Sequence, residues 1–115
     1  MTTYKPGDCV LIPFPFTDLS SVKQRPGVIL SSERFNAKGV DLIVAAVTSQ
    51  IPPTIDEDDI LLNGTEIISA GLPKISLVKT GKIVTIDQRL IRRRLGTLTP
   101  NTLQVIREAI RRIIS

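Results

Sequence analysis

The sequence predicts a mainly β chain, a small closed or half-closed barrel followed by one C-terminal helix. Five to seven short apolar runs lie between residues 9 and 86, closely spaced and separated by turns that contain glycine or proline. The strong helical pattern comes only at the end: Thr99-Pro100 followed by Leu103, Ile106, Ile110, Ile113 and Ile114 at three- and four-residue spacing. The 115 residues contain no internal repeat, low-complexity tract or interdomain linker, so one domain with one core is expected.

Taken in order, Pro6-Gly7-Asp8 is a turn signal before the first strand. That strand begins with the apolar run at residues 9–12 and is expected to reach about Phe16. Prolines at 13 and 15 cannot donate to a central ladder, which places the segment at an edge, a bulge or a strand end. Phe14 and Phe16 alternate and are expected to share one face, toward the core. Residues 17–24 form a polar loop. Pro26 pushes Arg25 into an extended conformation at the loop's exit. A second strand is expected over residues 27–32, then a polar turn over 33–39 closed by Gly39. The third strand, Asp41–Thr48, is almost continuously apolar and rich in β-branched residues, as in a strand buried on both faces.

Pro52-Pro53 breaks the sheet. Residues 60–62 and 67–68 read as short strands joined by Asn63-Gly64, a hairpin pair. Residues 75–79 and 82–86 read as two more strands around a tight turn at Thr80-Gly81. Asp87 caps a short helical turn. Thr99 supplies a hydroxyl N-cap and Pro100 the first helical position. Arg107, Arg111 and Arg112 fall late in this helix, where cations suit the dipole.

Composition excludes several chemistries. The apolar content of 42% and charged content of 23% are ordinary for a globular chain. No apolar run is long enough to span a bilayer, and no secretory h-region follows the N-terminus, so a cytoplasmic location without membrane contact is expected. Histidine is absent and Cys9 is the sole cysteine. Cys/His zinc sites, Cys–His pairs and Ser–His–Asp triads are therefore excluded. Cys9 sits in an apolar run and reads as a small buried hydrophobe. The four acids Asp56-Glu57-Asp58-Asp59 lack the spaced ligands and turn glycine of a calcium loop, so they read as a solvated acidic loop. No metal or cofactor is expected.

The net charge of +4 is unevenly spread. Residues 1–74 carry six basic and nine acidic side chains, a balance of −3, whereas residues 75–115 carry nine and two, a balance of +7. A surface that attracts a polyanion is one reading, and an ordinary solvated face is the other.

The opening stretch, Gly7-Asp8, a short apolar strand, a Pro/Phe/Asp turn, a polar loop and Arg25-Pro26 before a second strand, resembles the MazF/PemK family of toxin ribonucleases from bacterial toxin–antitoxin pairs. Further matches follow in the family's order at residues 44–48 (ending in Thr48), Gly71-Leu72-Pro73-Lys74, Thr85-Ile86-Asp87 and Arg93-Arg94-Leu95-Gly96. The likeness covers nearly the whole chain, and its specificity lies in the ordered set. It implies an SH3-like β-barrel of the CcdB/PemK/MazF type with a C-terminal helix. It also implies a homodimer that cuts single-stranded mRNA without metal, leaving a 2′,3′-cyclic phosphate and a 5′-hydroxyl, and a cognate antitoxin whose tail covers the RNA groove.

RNA carries its own nucleophile, the 2′-hydroxyl. The protein must align that attack, stabilise charge on the phosphoryl oxygens and manage two protons. A guanidinium offers forked donors matched to phosphate. From the residues alone, Arg25 is equally a strand-end arginine paired with an acid such as Asp18. The resemblance favours a catalytic role. Thr48 is a strand-end hydroxyl that can bond nearby backbone; the resemblance implies contact with the scissile phosphate. Some relatives carry a glutamate five positions before the arginine, where this chain has Ser20. Asp18, the nearest carboxylate in the loop, is then the possible general base.

Candidates for gripping RNA are Ser20, Lys23, Gln24, Ser49, Ser76, Lys79 and Lys82. The resemblance places Ser76 and Lys79 on the strand bordering the substrate groove, and assigns Arg92-Arg93-Arg94 to structure. Related CcdB-type toxins act on gyrase by protein–protein contact, so a non-catalytic binding module on the same barrel is the alternative. The joint presence of Arg25-Pro26 and Thr48 favours the nuclease.

Overall fold

The computed structural model describes residues 3–13 and 24–114. Six strands, β1 Asp8–Pro13, β2 Gln24–Ile29, β3 Asp41–Thr48, β4 Ile60–Leu62, β5 Ser76–Asp87 and β6 Arg93–Thr97, form one antiparallel sheet in the order β4-β5-β3-β2-β1-β6. Among the described residues three α-helices accompany it, α1 Glu33–Asn36, α2 Thr65–Ala70 and α3 Pro100–Ile113, with a 3-10 turn at Gln88–Leu90.

The sheet has a core on each face, which follows from side-chain alternation along its strands. Cys9, Val28, Ala45, Val47 and Val78 point to one face and pack with Leu98 and Ile106. Val10, Ile12, Ile29, Leu42, Val44 and Ile86 build the other core. β3 contributes to both, as its continuous apolar run requires. Cys9 is fully buried, and burial together with the charge of Asp8 pushes its thiol up to about 12. Such a thiol is no nucleophile at neutral pH.

The sheet curls into a half-barrel, and its two edges meet through α2. That helix follows edge strand β4 directly and packs on the opposite edge, β6. The contact requires two glycines. A Cβ at Gly96 would lie 2.3 Å from the Ser69 carbonyl oxygen, and one at Gly71 would lie 1.9 Å from the Leu95 carbonyl oxygen. Gly71 also ends α2 in the left-handed conformation, at φ +72°. The Gly71 and Arg-Arg-Leu-Gly96 motifs are therefore two halves of one close backbone approach. Arg94 adds an ion pair to buried Asp8 at 3.2 Å and stacks over Tyr4.

Several elements differ from expectation. β2 starts at Gln24 and contains Pro26, opposite Leu11. Residues 33–39 are not an open turn: Ser32 caps α1 by accepting from the Phe35 N–H. Ile67 and Ile68 belong to α2, not to a strand. Thr80-Gly81 is no hairpin. β5 runs through it as one strand, with a register shift opposite Ala45 and Ala46 that marks a bulge. Residues 93–97, for which no strand was expected, form β6 on β1. The caps at Asp87 and Thr99 match expectation, accepting from Arg89 N–H and Thr102 N–H respectively. In α3, Leu103 and Ile106 are buried, whereas Ile113 and Ile114 emerge into solvent. The expected positions of Phe14 and Phe16, and the end of the first strand at Phe16, lie outside the described residues.

Candidate functional site

A cleft of about 440 Å³ opens at one end of the sheet, on the face shared by Ile12, Ile29 and Val44. Strand register explains what lines it. The β2–β3 ladder pairs Gly27 with Ala46 and Val28 with Ala45. Extending that register two residues places Arg25 opposite Thr48, on the same face. β5 continues the row, since Thr48 faces Leu77 and Ala46 faces Lys79. Arg25, Thr48, Leu77, Lys79 and Lys82 all border the cleft. The two expected catalytic side chains, 23 positions apart in sequence, thus share one wall.

Arg25 is held in a revealing state. Its Nε is buried and has no hydrogen-bond partner among the described residues. Buried donors are paired in the great majority of cases, and an unpaired one costs about 1–3 kcal/mol. An N–H in that state can take an acceptor such as a phosphoryl oxygen. The four ion pairs among the described residues involve neither Arg25 nor Lys82. Thr48 Oγ accepts from the Gln50 N–H at 3.1 Å, which turns the chain out of β3 and leaves the hydroxyl proton free to donate.

Gln50, Ile51 and Pro52 form the next part of the wall, a polar amide beside an apolar shelf. Sequence reasoning missed them; their signal was adjacency to Thr48 and the rigidity of Pro52-Pro53. Among the described residues the lining includes no carboxylate. The cleft therefore presents cationic and neutral donors beside an apolar patch, chemistry suited to an anionic phosphodiester with an attached base.

The other expected site residues divide. Lys79 lines the cleft, but its Nζ is paired with Asp59 at 2.5 Å. Ser76 does not reach it. Strand alternation turns Ser76 to the opposite face from Leu77 and Lys79, where it is buried and donates to the Lys74 carbonyl at 2.9 Å. Gln24 and Ser49 are exposed and stand outside the lining. Asp18, Ser20 and Lys23 lie outside the described residues.

Half of the acidic run is tied down, contrary to the expectation of a solvated loop, while Asp56 and Glu57 are exposed as expected. Asp58 pairs with Arg112 at 3.4 Å and Asp59 with Lys79, while the Asp58 carbonyl accepts from Thr80 Oγ at 2.8 Å. Together with Asp8–Arg94, these contacts match acids of the first 74 residues with bases of the last 41. Much of the charge asymmetry is thus neutralised within the fold. Among the described residues no three acids, cysteines or histidines are grouped to hold a metal ion. No helix among them is long and apolar enough to cross a membrane.

Comparison with solved structures gives the same architecture. A MazF crystal structure from Deinococcus radiodurans superposes with a TM-score of 0.79 at 17% identity, covering 99% of this chain and 98% of that one. A MazE–MazF complex from the same organism gives 0.77 at 18% identity, covering 98% and 97%. An endoribonuclease in complex with its cognate antitoxin, from a mycobacterial species, gives 0.76 at 18% identity, covering 96% and 94%. At these identities the likeness is one of fold. No curated protein sequence matches the chain. The sequence profile of the PemK-like, MazF-like toxins of type II toxin–antitoxin systems matches residues 5–114. On that match, which spans nearly the entire sequence, the chain belongs to this toxin family.

Proposed function

We propose that the protein is a metal-independent endoribonuclease that cuts single-stranded mRNA at the cleft of Arg25 and Thr48. The observation that carries this reading is the buried Nε of Arg25, without a partner among the described residues, on the same wall as the Thr48 hydroxyl. In the proposed step the 2′-oxygen attacks the adjacent phosphorus and the P–O5′ bond breaks. The 2′-proton goes to a base, and a proton reaches the departing 5′-oxygen. The products are a 2′,3′-cyclic phosphate and a 5′-hydroxyl, and no water is consumed.

Arg25 stabilises charge on the phosphoryl oxygens. A guanidinium holds its protons too firmly to serve as a general acid, so its contribution is electrostatic. Thr48 donates to a non-bridging oxygen. Asp18, seven positions before Arg25 in the sequence, is the proposed base, since the position used by some relatives holds Ser20. Lys82 and Lys79 guide the backbone, and the shelf of Ile51 and Pro52 supports a base. A cytoplasmic homodimer neutralised by a cognate antitoxin completes the proposal; its support is the toxin–antitoxin family and the MazE–MazF complexes of the same fold.

The test is incubation of mixed-sequence RNA with the protein in EDTA, followed by end analysis of the fragments. Cleavage with cyclic-phosphate ends, blocked by a 2′-deoxy substitution at the cut, is expected. RNA left intact across a broad set of sequences would remove the nuclease reading and favour action by protein contact.

A further inference from the structure

We propose that Asp59 is a positioning residue of this cleft, acting through Lys79, which it fixes against the path of the RNA backbone. The inference rests on the nuclease reading and adds to it a residue that does not touch substrate. Its basis is the β4–β5 register. Ile60 pairs with Val78. Continuing one residue places Asp59 opposite Lys79, and another places Asp58 opposite Thr80. Both contacts form: Lys79 Nζ lies 2.5 Å from Asp59 Oδ2, and Thr80 Oγ donates to the Asp58 carbonyl at 2.8 Å.

The pair is asymmetric in a useful way. The Asp59 side chain is 7% exposed and stands behind, whereas that of Lys79 is 29% exposed and borders the cleft. Asp59 is itself anchored. Its neighbour Asp58 binds Arg112 of α3 through its carboxylate and Thr80 through its carbonyl, and its N–H donates to Asp56 Oδ1. A carboxylate so held restrains a side chain that otherwise sweeps through many rotamers. One ammonium proton goes to Asp59 and two remain for the cleft.

Charge decides the function of this arrangement. A free lysine grips phosphate wherever it meets it. A lysine paired with a buried carboxylate adds donors at a fixed place with no net charge. The pair thus favours alignment over affinity, and its removal separates the two.

The experiment uses the full chain, a mixed-sequence RNA for turnover and the all-deoxy strand of the same sequence for binding. Asp59→Asn releases Lys79. The expected result is tighter binding, a log–log salt slope steeper by about 0.7, and kcat lower by about tenfold. Asp59→Glu keeps the charge and displaces the ammonium, so the salt slope stays while kcat falls. Wild-type kcat in both variants overturns the proposal. So does a D59N protein that fails to fold beside a D59E protein of wild-type kcat, which marks Asp59 as structural only. If the wild type cuts no RNA, the nuclease reading fails by itself. The slope on the deoxy strand then decides: a steeper slope in D59N supports a Lys79 restrained at a nucleic-acid site, and an unchanged slope overturns it.

Discussion

Replacing Arg25 by methionine should make the protein more stable and far less active. In the free protein the Arg25 Nε is buried without a partner among the described residues. Methionine keeps an unbranched stem of similar reach and removes the unsatisfied donor. An unpaired buried donor costs about 1–3 kcal/mol, and part of that is regained by whatever contacts the guanidinium's outer nitrogens make with solvent. A gain of about 1 kcal/mol is the expected balance, which for a chain of this size raises the melting temperature by about 4 °C. Loss of one preorganised donor to a developing oxyanion costs about 10²–10³ in kcat, or about 3–4 kcal/mol. Thermal denaturation by circular dichroism and initial rates on a labelled RNA measure the two quantities on one preparation. Arg25→Lys should fall between, since it keeps charge without the fork. A methionine variant that melts lower than wild type and still cleaves within tenfold of its rate would refute the reasoning.

Thr48→Val preserves shape and removes the hydroxyl; turnover should fall about tenfold or more with KM little changed, and an unchanged kcat would show that the hydroxyl serves only its bond from Gln50. Gly96→Ala drives a methyl to 2.3 Å from the Ser69 carbonyl oxygen and should lower the urea-unfolding free energy by about 3 kcal/mol, whereas Gly81→Ala, whose new methyl meets only Ile113 at 3.9 Å, should be nearly neutral. The Cys9 thiol sits near 12 when folded, above its ordinary value near 9. Only the unfolded chain ionises between those values, so stability present below pH 9 should decline by about 1.4 kcal/mol per pH unit above it. Urea titrations at pH 8 to 10.5 check this, and the Cys9→Ala variant should lack that component of the slope.

What the sequence disclosed and what it hid follow a physical line. Local signals read well: the β-branched run of β3, the caps at Asp87 and Thr99, and the turn before β1 each depend on neighbours in the chain. Ambiguity began where a local pattern fits two states. Ile67-Ile68 is too short for its period to separate strand from helix, and the deciding feature, Gly71 against Leu95, comes from 24 residues away. Thr80-Gly81 looks like a hairpin pair, yet β3 stays paired along both sides of it, and the chain bulges instead of reversing. β6 was concealed because Arg93 and Arg94 are polar and half the strand faces water.

The site shows the same division. The nearness of Arg25 and Thr48 was suggested by their motifs, and the ladder brings them to one wall. The setting of Lys79 was legible only in part, because its partner Asp59 is fixed by cross-strand register and not by spacing. Ser76 was misplaced by a single step of strand alternation, which sends it to the other core.

The glycine contact between α2 and β6 has a bearing on how the molecule keeps to itself. β4 and β6 end the sheet, and strands in that position can recruit another chain through their unused amides. Here one terminal strand leads straight into a helix that packs on the other, so the clasp covers the β6 flank. Opening that clasp would bare the β6 border, and aggregation on mild heating should track the integrity of the Gly71–Gly96 junction more closely than the loss of either hydrophobic centre.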